Sequence, residues 1–572
     1  MRIFLKIESL GGILLSEKDN LFNALLDSVK SLKSLYTQAI TLAYISDQLF
    51  RLKDARSEEF FNKALTIAEQ MPNNLEQLGL LQHLIGMLVN AVKVTNNKEK
   101  LETAINIAKS IYLPYNRFYN LVDILKIFFH FLGKDETLEL IKEILPAIDE
   151  ITSKSYRFEL LSEIVTVLCD MGVAFNDLEL IQQAKQHLEQ IEVSSFYYIA
   201  LISIAKAFLS YAETNQDLTW ISNARELLMK LPEMSSLTTA LIDVSFAFLR
   251  MEKEKQAEEV IEDAITYAEK IEESSRRSVA LSYIAKALIK LNEHDKAKQH
   301  LLSAVEAALT LTDQNLLNMA WQSIIEAIND LNSGDKLSLI QEIVETVENH
   351  SNVTLRAFAI NHVINALMVS ADIEKSVFQE ILHKAVETIK LIKNKLVRET
   401  AALNLAALLI ERSSEIADEF LLKAIFELAE QIRETRNSAY LFTDIARVVL
   451  SFGRKKEAEE LLDGAMITIS LIPNAFTRAL VLVYVARRCS ELGLQKKFND
   501  LVEELVQVVN DIESPNDLVK TKTGIAELLI QGNEKGRAIQ FLHQALENSN
   551  ELPNELEKAD AISSIAKVVL SL

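Results

Sequence analysis

The chain of 572 residues carries 60 Lys and Arg against 81 Asp and Glu, a formal charge of −21, and so acidic a surface argues against a nucleic-acid partner, whose phosphates bind basic faces. Hydrophobic residues at 49% and charged residues at 25% give the balance of a folded chain. With 13 Gly and 7 Pro the sequence lacks the turns of an all-β protein, and its length exceeds the roughly 250–300 residues that one core sustains, which leaves several domains or a repeat array.

At the N-terminus, Lys6 and Glu8 interrupt the apolar run, so no secretory leader is expected, and Ala24 suggests a degenerate repeat over residues 1–34. From there one aliphatic residue recurs in register: Ile45, Ile85, Ile124, Ile164, Ile204, Val244, Ile284, Ile324, Val363, Leu405, Ile445, Val485, Ile525 and Ile565. Ten of the thirteen steps between successive anchors equal 40, and the others equal 39, 39 and 42. Residues 35–556 therefore divide into about 13 repeats of about 40 residues, and 557–572 form a terminal half-repeat, all within a single array over 1–572.

Each unit reads as two helices. Ala280, Leu281, Ile284, Ala285, Leu288 and Leu291 make one apolar stripe at spacings of three and four, and Ala297, Leu301, Ala304, Val305 and Ala308 make a second. Gly133, Gly172, Gly334, Gly453, Gly493 and Gly532 fall seven to ten residues after an anchor, where a left-handed residue would close the first helix. Six prolines, Pro72, Pro114, Pro232, Pro473, Pro515 and Pro553, fall late in a unit, well beyond both stripes, and mark the link to the next one, whereas Pro146 lies inside a second helix and should kink it. Ten of the fourteen residues that follow an anchor are Ala, Ser or Gly, small enough for two helices to approach closely; Leu125, Val165, Ile325 and Ile364 break that rule, so packing should differ in their units.

These units resemble the tetratricopeptide repeat, a helix-turn-helix motif of about 34 residues. Leu281, Ile284, Ala285, Leu288, Ala297, Leu301 and Ala304 occupy its large and small positions, as do Leu241, Val244, Ser245, Phe248, Ala257, Ile261 and Ala264, and Leu441, Ile445, Ala446, Val449, Ala458, Leu462 and Ala465. The longer period departs from that motif, and Leu or Ile mostly replaces the aromatic residues of the first helix. The resemblance implies an all-α, right-handed α/α solenoid of about 13 to 14 repeats, with first helices lining an inner surface and a role in binding other proteins.

Chemistry-bearing motifs are missing. No pair among the nine His has helical i, i+4 spacing, and there is no HExxH, Cys-x-x-Cys or phosphate-binding Gly-rich loop. Cys169 and Cys489 stand far apart in the chain; two cysteines cannot form a disulfide framework or a four-ligand metal site, and they fit a reducing, cytoplasmic compartment. No catalytic, cofactor-binding or metal-binding residue is therefore assigned, and the chain is expected not to be an enzyme. The best candidate for a membrane span, Gly464 to Ala486, contains Pro473 and Arg478, so no membrane insertion is expected.

Three sets of residues are candidates for function or bracing. By the resemblance, the position two after the anchor faces the groove, and there Lys126, Lys206, Lys286, Arg447 and Arg487, with Phe246 among them, either form a cationic groove for an acidic peptide or pair with neighbouring acids. Fifteen Phe and Tyr lie between Tyr112 and Tyr211; neighbouring helix positions point about 100° apart, so consecutive aromatics cannot share one core, and Tyr119, Phe129, Phe196, Tyr197 and Tyr198 are expected at a partner-binding patch. Arg117, Arg157, Arg277, Arg356, Arg398 and Arg478 each precede an anchor by seven residues; a cation in a helix's first turn opposes that helix's dipole, so the preceding helix's C-terminal carbonyls or a carboxylate should offset it and brace adjacent units. The leading expectation is a scaffold or adaptor that binds a protein or peptide, with two alternatives, a ligand- or peptide-sensing regulatory array and a structural subunit self-associating end to end. Both ends look uncapped, and another chain, an extension or the opposite end is expected to cover them.

Overall fold

The computed structural model describes residues 17–369, 375–413 and 418–572; residues 1–16 of the expected degenerate unit lie outside that set. Among the described residues the secondary structure is helical, without a β-strand, and the chain is all-α. Every anchor lies in a first helix, from Leu35–Arg51 around Ile45, through Ser274–Lys290 around Ile284, to Glu555–Ser571 around Ile565. All fourteen anchors are buried, Ile85 being the most exposed at 4%. Burying such a side chain contributes about 1.5–3 kcal/mol, so a common buried position in every unit stabilises the stack along its length. Of the small residues after the anchors, Ala205, Ser245, Ala285, Ala446 and Ala526 are fully buried and Gly86 is half-buried. Of the four large ones, Leu125, Val165 and Ile364 are buried as well, and Ile325 is only half-buried.

The turn between the two helices of a unit recurs with atomic regularity. Lys53, Glu252, Asn292, Gly453, Gly493 and Asn533, each eight residues after an anchor, have φ between 58° and 74°. The amide that follows each donates back to the carbonyl four residues after the anchor, as in Lys253 to Phe248 at 2.9 Å and Leu494 to Cys489 at 2.9 Å, a Schellman closure. In the Ile164 and Ile204 units this closure slides four residues along, to Asn176 and Gln216, with Asp177 bonding Gly172 and Asp217 bonding Ala212. Their first helices, Lys154–Ala174 and Ser195–Asn215, are 21 residues long and their second helices, Leu178–Leu188 and Leu218–Leu228, are 11, against 17 and 15 for Met234–Arg250 and Glu254–Ala268. A shift of one helical turn keeps both the stride and the buried face.

Three of the six glycines depart from the expected role. Gly172 is helical and buried; a Cβ there would stand 2.5 Å from Ile181 Cγ1, so glycine allows the second helix to approach. Gly532 has φ −75° and passes the left-handed position to Asn533. Gly334 opens the second helix Ser333–Glu348. Pro146 falls in the last turn of Lys134–Ala147, which then tightens into the 3-10 turn Ile148–Glu150.

The stride suggests one array, and packing divides it into two compact units, one of Met1–Tyr112 with Leu409–Leu572 and the other of Leu113–Leu408. In the second unit the first helices Pro114–Leu132, Lys154–Ala174, Ser195–Asn215, Met234–Arg250, Ser274–Lys290, Gln314–Asn329 and Val353–Val369 pack each on the next. In the first unit Leu35–Arg51 packs on Leu75–Thr95, and Thr435–Ser451, Ala475–Glu491, Pro515–Gln531 and Glu555–Ser571 form a second run. The two runs meet: Leu35–Arg51 also packs on Glu555–Ser571. The helix over 17–30 joins them, with Lys18 Nζ donating to the Leu570 carbonyl at 3.3 Å and Asn550 Nδ2 to Ser28 Oγ at 3.2 Å, while the Lys33 amide donates to Glu555 Oε2 at 3.0 Å.

Two helices, Leu75–Thr95 and Ser195–Asn215, are long and apolar enough to cross a membrane by length and composition. Both are first helices packed on neighbours of their own unit. The stretch from Gly464 to Ala486 is divided between two helices, Lys455–Ser470 and Ala475–Glu491.

Candidate functional site

The solvent-accessible face of the first helices carries a ladder in which the residue two after one anchor meets a residue of the next first helix. In the Leu113–Leu408 unit, Lys126 Nζ lies 2.6 Å from Glu163, Lys206 Nζ 3.5 Å from Asp243 and Lys286 Nζ 2.8 Å from Glu326. Thr166 Oγ1 and Ser203 Oγ continue it as neutral groups 3.2 Å apart. Phe246 is half-buried at the same register. The charges respond to these neighbours. Partial burial pulls the Lys126 ammonium down, yet its bond to Glu163 carries it above the usual value. Burial raises the Asp243 carboxyl against the pull of Lys206, whereas the bond from Lys286 lowers that of Glu326.

The other unit holds Arg447 and Arg487. Arg487 Nη2 donates to Glu527 at 2.8 Å, and Tyr484 donates through its hydroxyl to Asp444 at 2.8 Å. Arg447 breaks the ladder. At its register the following first helix offers Tyr484 and Arg487 in place of an acid, and among the described residues Arg447 forms no ion pair, with its Nε buried and unbonded. About two helical turns before Arg447 on the same helix, the Tyr440 ring lies 4.8 Å from that of Tyr484, edge to face, and Leu480 is 45% exposed.

The aromatic set splits. Phe129 is buried, with Phe175 edge-on at 6.1 Å, and so belongs to the core rather than to a patch. Phe196, Tyr197 and Tyr198 are half-buried, the two tyrosines 5.4 Å apart. Tyr119 is exposed and leans on Tyr115 at 5.7 Å. Tyr115 stacks on Tyr156 at 4.3 Å, and its hydroxyl donates to Glu159 at 2.9 Å; burial and that bond push its phenol well up. Tyr156, 49% exposed, and Ile199, 50% exposed, are further exposed apolar side chains on the next two first helices. Neither was singled out by the sequence, although Ile199 stands five residues before its anchor, the same register as Tyr119.

The arginines seven residues before an anchor make contacts of two kinds. Arg157 pairs with Asp149 at 3.3 Å, and Arg356 and Arg398 donate to the carbonyls of Glu348 at 3.0 Å and Ile392 at 3.1 Å, all at the end of the preceding second helix. Arg117 and Arg478 reach Glu150 at 2.6 Å and Asp511 at 3.2 Å, at the end of the second helix of their own unit. Beside Arg277 it is Arg276 that pairs, with Glu233 and Glu273.

Among the described residues no group of three or more His, Cys, Asp or Glu converges as metal ligands do. Burial pushes the thiol of Cys489 up to about 11 and that of Cys169 further, so neither is a ready nucleophile. His362 stacks on the fully buried Trp321 with ring centroids 5.7 Å apart, and burial takes its imidazole down to about 4.

No family model matches the sequence, and no curated protein matches it. Among solved structures the chain is similar to Ton1535 from Thermococcus onnurineus, at 18% identity over 64% of this chain and 98% of that one, with a TM-score of 0.26. It is similar to a Rap protein complexed with competence and sporulation factor, at 14% identity over 63% of this chain and 98% of that one, TM-score 0.22. A human IFIT1 dimer with m7Gppp-AAAA is similar at 14% identity over 91% of this chain and 98% of that one, TM-score 0.22. No site residue is carried over from any of them.

Proposed function

We propose that this chain is a tetratricopeptide-like array of long helix pairs that works without catalysis, in the cytoplasm, as a scaffold or adaptor binding a protein or peptide on the concave face lined by its first helices. The break in the ladder at Arg447 carries this reading. Lys126, Lys206, Lys286 and Arg487 spend their charge on acids of the next first helix, whereas Arg447 holds a half-buried guanidinium with no acid to answer it. An acidic side chain of a partner supplies the missing carboxylate, and a charge-assisted bond there sets both register and affinity. Tyr440, Tyr484 and Leu480 give an apolar stretch farther along the same helix pair, and Tyr119, Tyr156 and Ile199 offer a second contact surface on the other unit.

Selection from a displayed library of random peptides, run in parallel on the wild-type chain and on Arg447→Glu, tests this function. Wild type should enrich peptides in which an acidic residue flanks an apolar one, and Arg447→Glu should fail to retain that pool. Enrichment of the same pool on both proteins, or none on wild type, would overturn it.

A further inference from the structure

A cleft of about 170 Å³ opens between the Ile45 and Ile85 repeats, and its cause is a mismatch in helix length. Leu35–Arg51 has 17 residues and turns at Lys53, whereas its neighbour Leu75–Thr95 has 21 and turns at Asn96. The longer helix carries its second helix, Lys98–Ser110, past the turn of the shorter pair, and the step between them is left unfilled. Phe50, Phe61 and Leu88 form apolar walls; Asp47, Glu58, Glu99 and Lys100 line the same space. Asp47 bonds the exposed Arg51 at 2.9 Å, but Glu58, Glu99 and Lys100 form no ion pair with each other or with any described side chain. Lys100 Nζ instead stands 5.9 Å from the centroid of the Phe50 ring, on the cleft side.

Opposite charges that line one small space and are not spent on each other fit a ligand carrying both signs. A cavity of about 150 Å³ is known to hold a molecule the size of benzene, so this cleft suits a ligand of roughly six to ten heavy atoms. We propose that the cleft binds a free amino acid, with its carboxylate on the Lys100 ammonium, its ammonium among Asp47, Glu58 and Glu99, and its side chain over Phe50 and Phe61. A free amino acid holds both charged groups on one carbon, which a residue within a peptide does not. The site shares no residue with the face at Arg447, so it stands or falls apart from the protein-binding role.

Calorimetric titration of the full chain with L-leucine, L-methionine and L-valine, each against the amine that lacks its carboxylate (3-methylbutylamine, 3-methylthiopropylamine and 2-methylpropylamine), reads this out. At least one amino acid should saturate and bind about tenfold or more tightly than its amine, as a charge-assisted bond to carboxylate requires. Lys100→Met should erase that preference, Glu99→Gln should weaken amino acid and amine together, and Arg447→Glu should change neither. All three substitutions lie on the surface or at half-buried positions, and an unchanged thermal midpoint verifies the fold of each variant. No saturable binding of any of the three, equal affinity for amine and amino acid, or a preference that survives Lys100→Met would each overturn the proposal.

Discussion

Two carboxylates on the first-helix ladder answer oppositely to pH. The bond from Lys286 lowers the Glu326 carboxyl, so its contribution is complete above the ordinary carboxylate range and is lost as pH falls through the depressed value. Burial raises the Asp243 carboxyl, with Lys206 only partly countering it, so the folded chain takes up this proton first and gains stability as pH falls through the raised value. Glu326, half of whose side chain is exposed, should lose less than about 1 kcal/mol on substitution to Gln at neutral pH, with the loss vanishing in acid. Asp243→Asn should not destabilise at neutral pH and should remove the gain on acidification. Thermal midpoints measured across pH decide both; a neutral-pH loss in Asp243→Asn larger than that in Glu326→Gln would show the assignment to be wrong. The cations of this ladder were legible in the sequence as a recurring position. Their acids were not, because Glu163 and Asp243 precede the next anchor by one while Glu326 follows it by two, and only packed helices reveal which of these faces a given lysine.

At the scale of the element, the constant stride could be read directly, since each anchor keeps one buried face. The position of the turn could not, because moving the Schellman closure by four residues, from Glu252 in one unit to Gln216 in another, leaves the same face buried. The glycines were an incomplete guide for the same reason: the closure tolerates Lys, Glu, Asn or Gln at a strain of about 1 kcal/mol. Gly453→Ala should therefore lower stability by about 1 kcal/mol and Glu252→Gly should raise it by a similar amount. Gly172→Ala should destabilise by about 1–3 kcal/mol for a different reason, the clash with Ile181. Thermal scans of the three variants separate the two mechanisms, since Ile181→Ala, which removes the clashing Cγ1, should make the added cost of Gly172→Ala smaller and leave that of Gly453→Ala unchanged.

At the scale of the whole molecule, the helix over 17–30 and the helix Glu555–Ser571 each look like a remnant in the sequence, and no local pattern says that they pack together. The division into two units was equally hidden, since the repeat runs through both of its boundaries at 112 and 408 with its stride nearly unchanged. Leu25 is fully buried in the 17–30 helix. Leu25→Ala should cost about 2–5 kcal/mol locally and raise amide hydrogen exchange in Glu555–Ser571, at the opposite end of the sequence; faster exchange confined to the N-terminal helices would contradict this packing. The protein-binding role is tested most directly by charge exchange at Arg447. An acidic peptide selected on the wild-type chain should bind Arg447→Glu at least about tenfold more weakly, and the same peptide with its acid replaced by Lys should recover affinity on Arg447→Glu alone. Equal binding of the acidic peptide to both proteins, or a Lys peptide that binds neither, would contradict the assignment of this face.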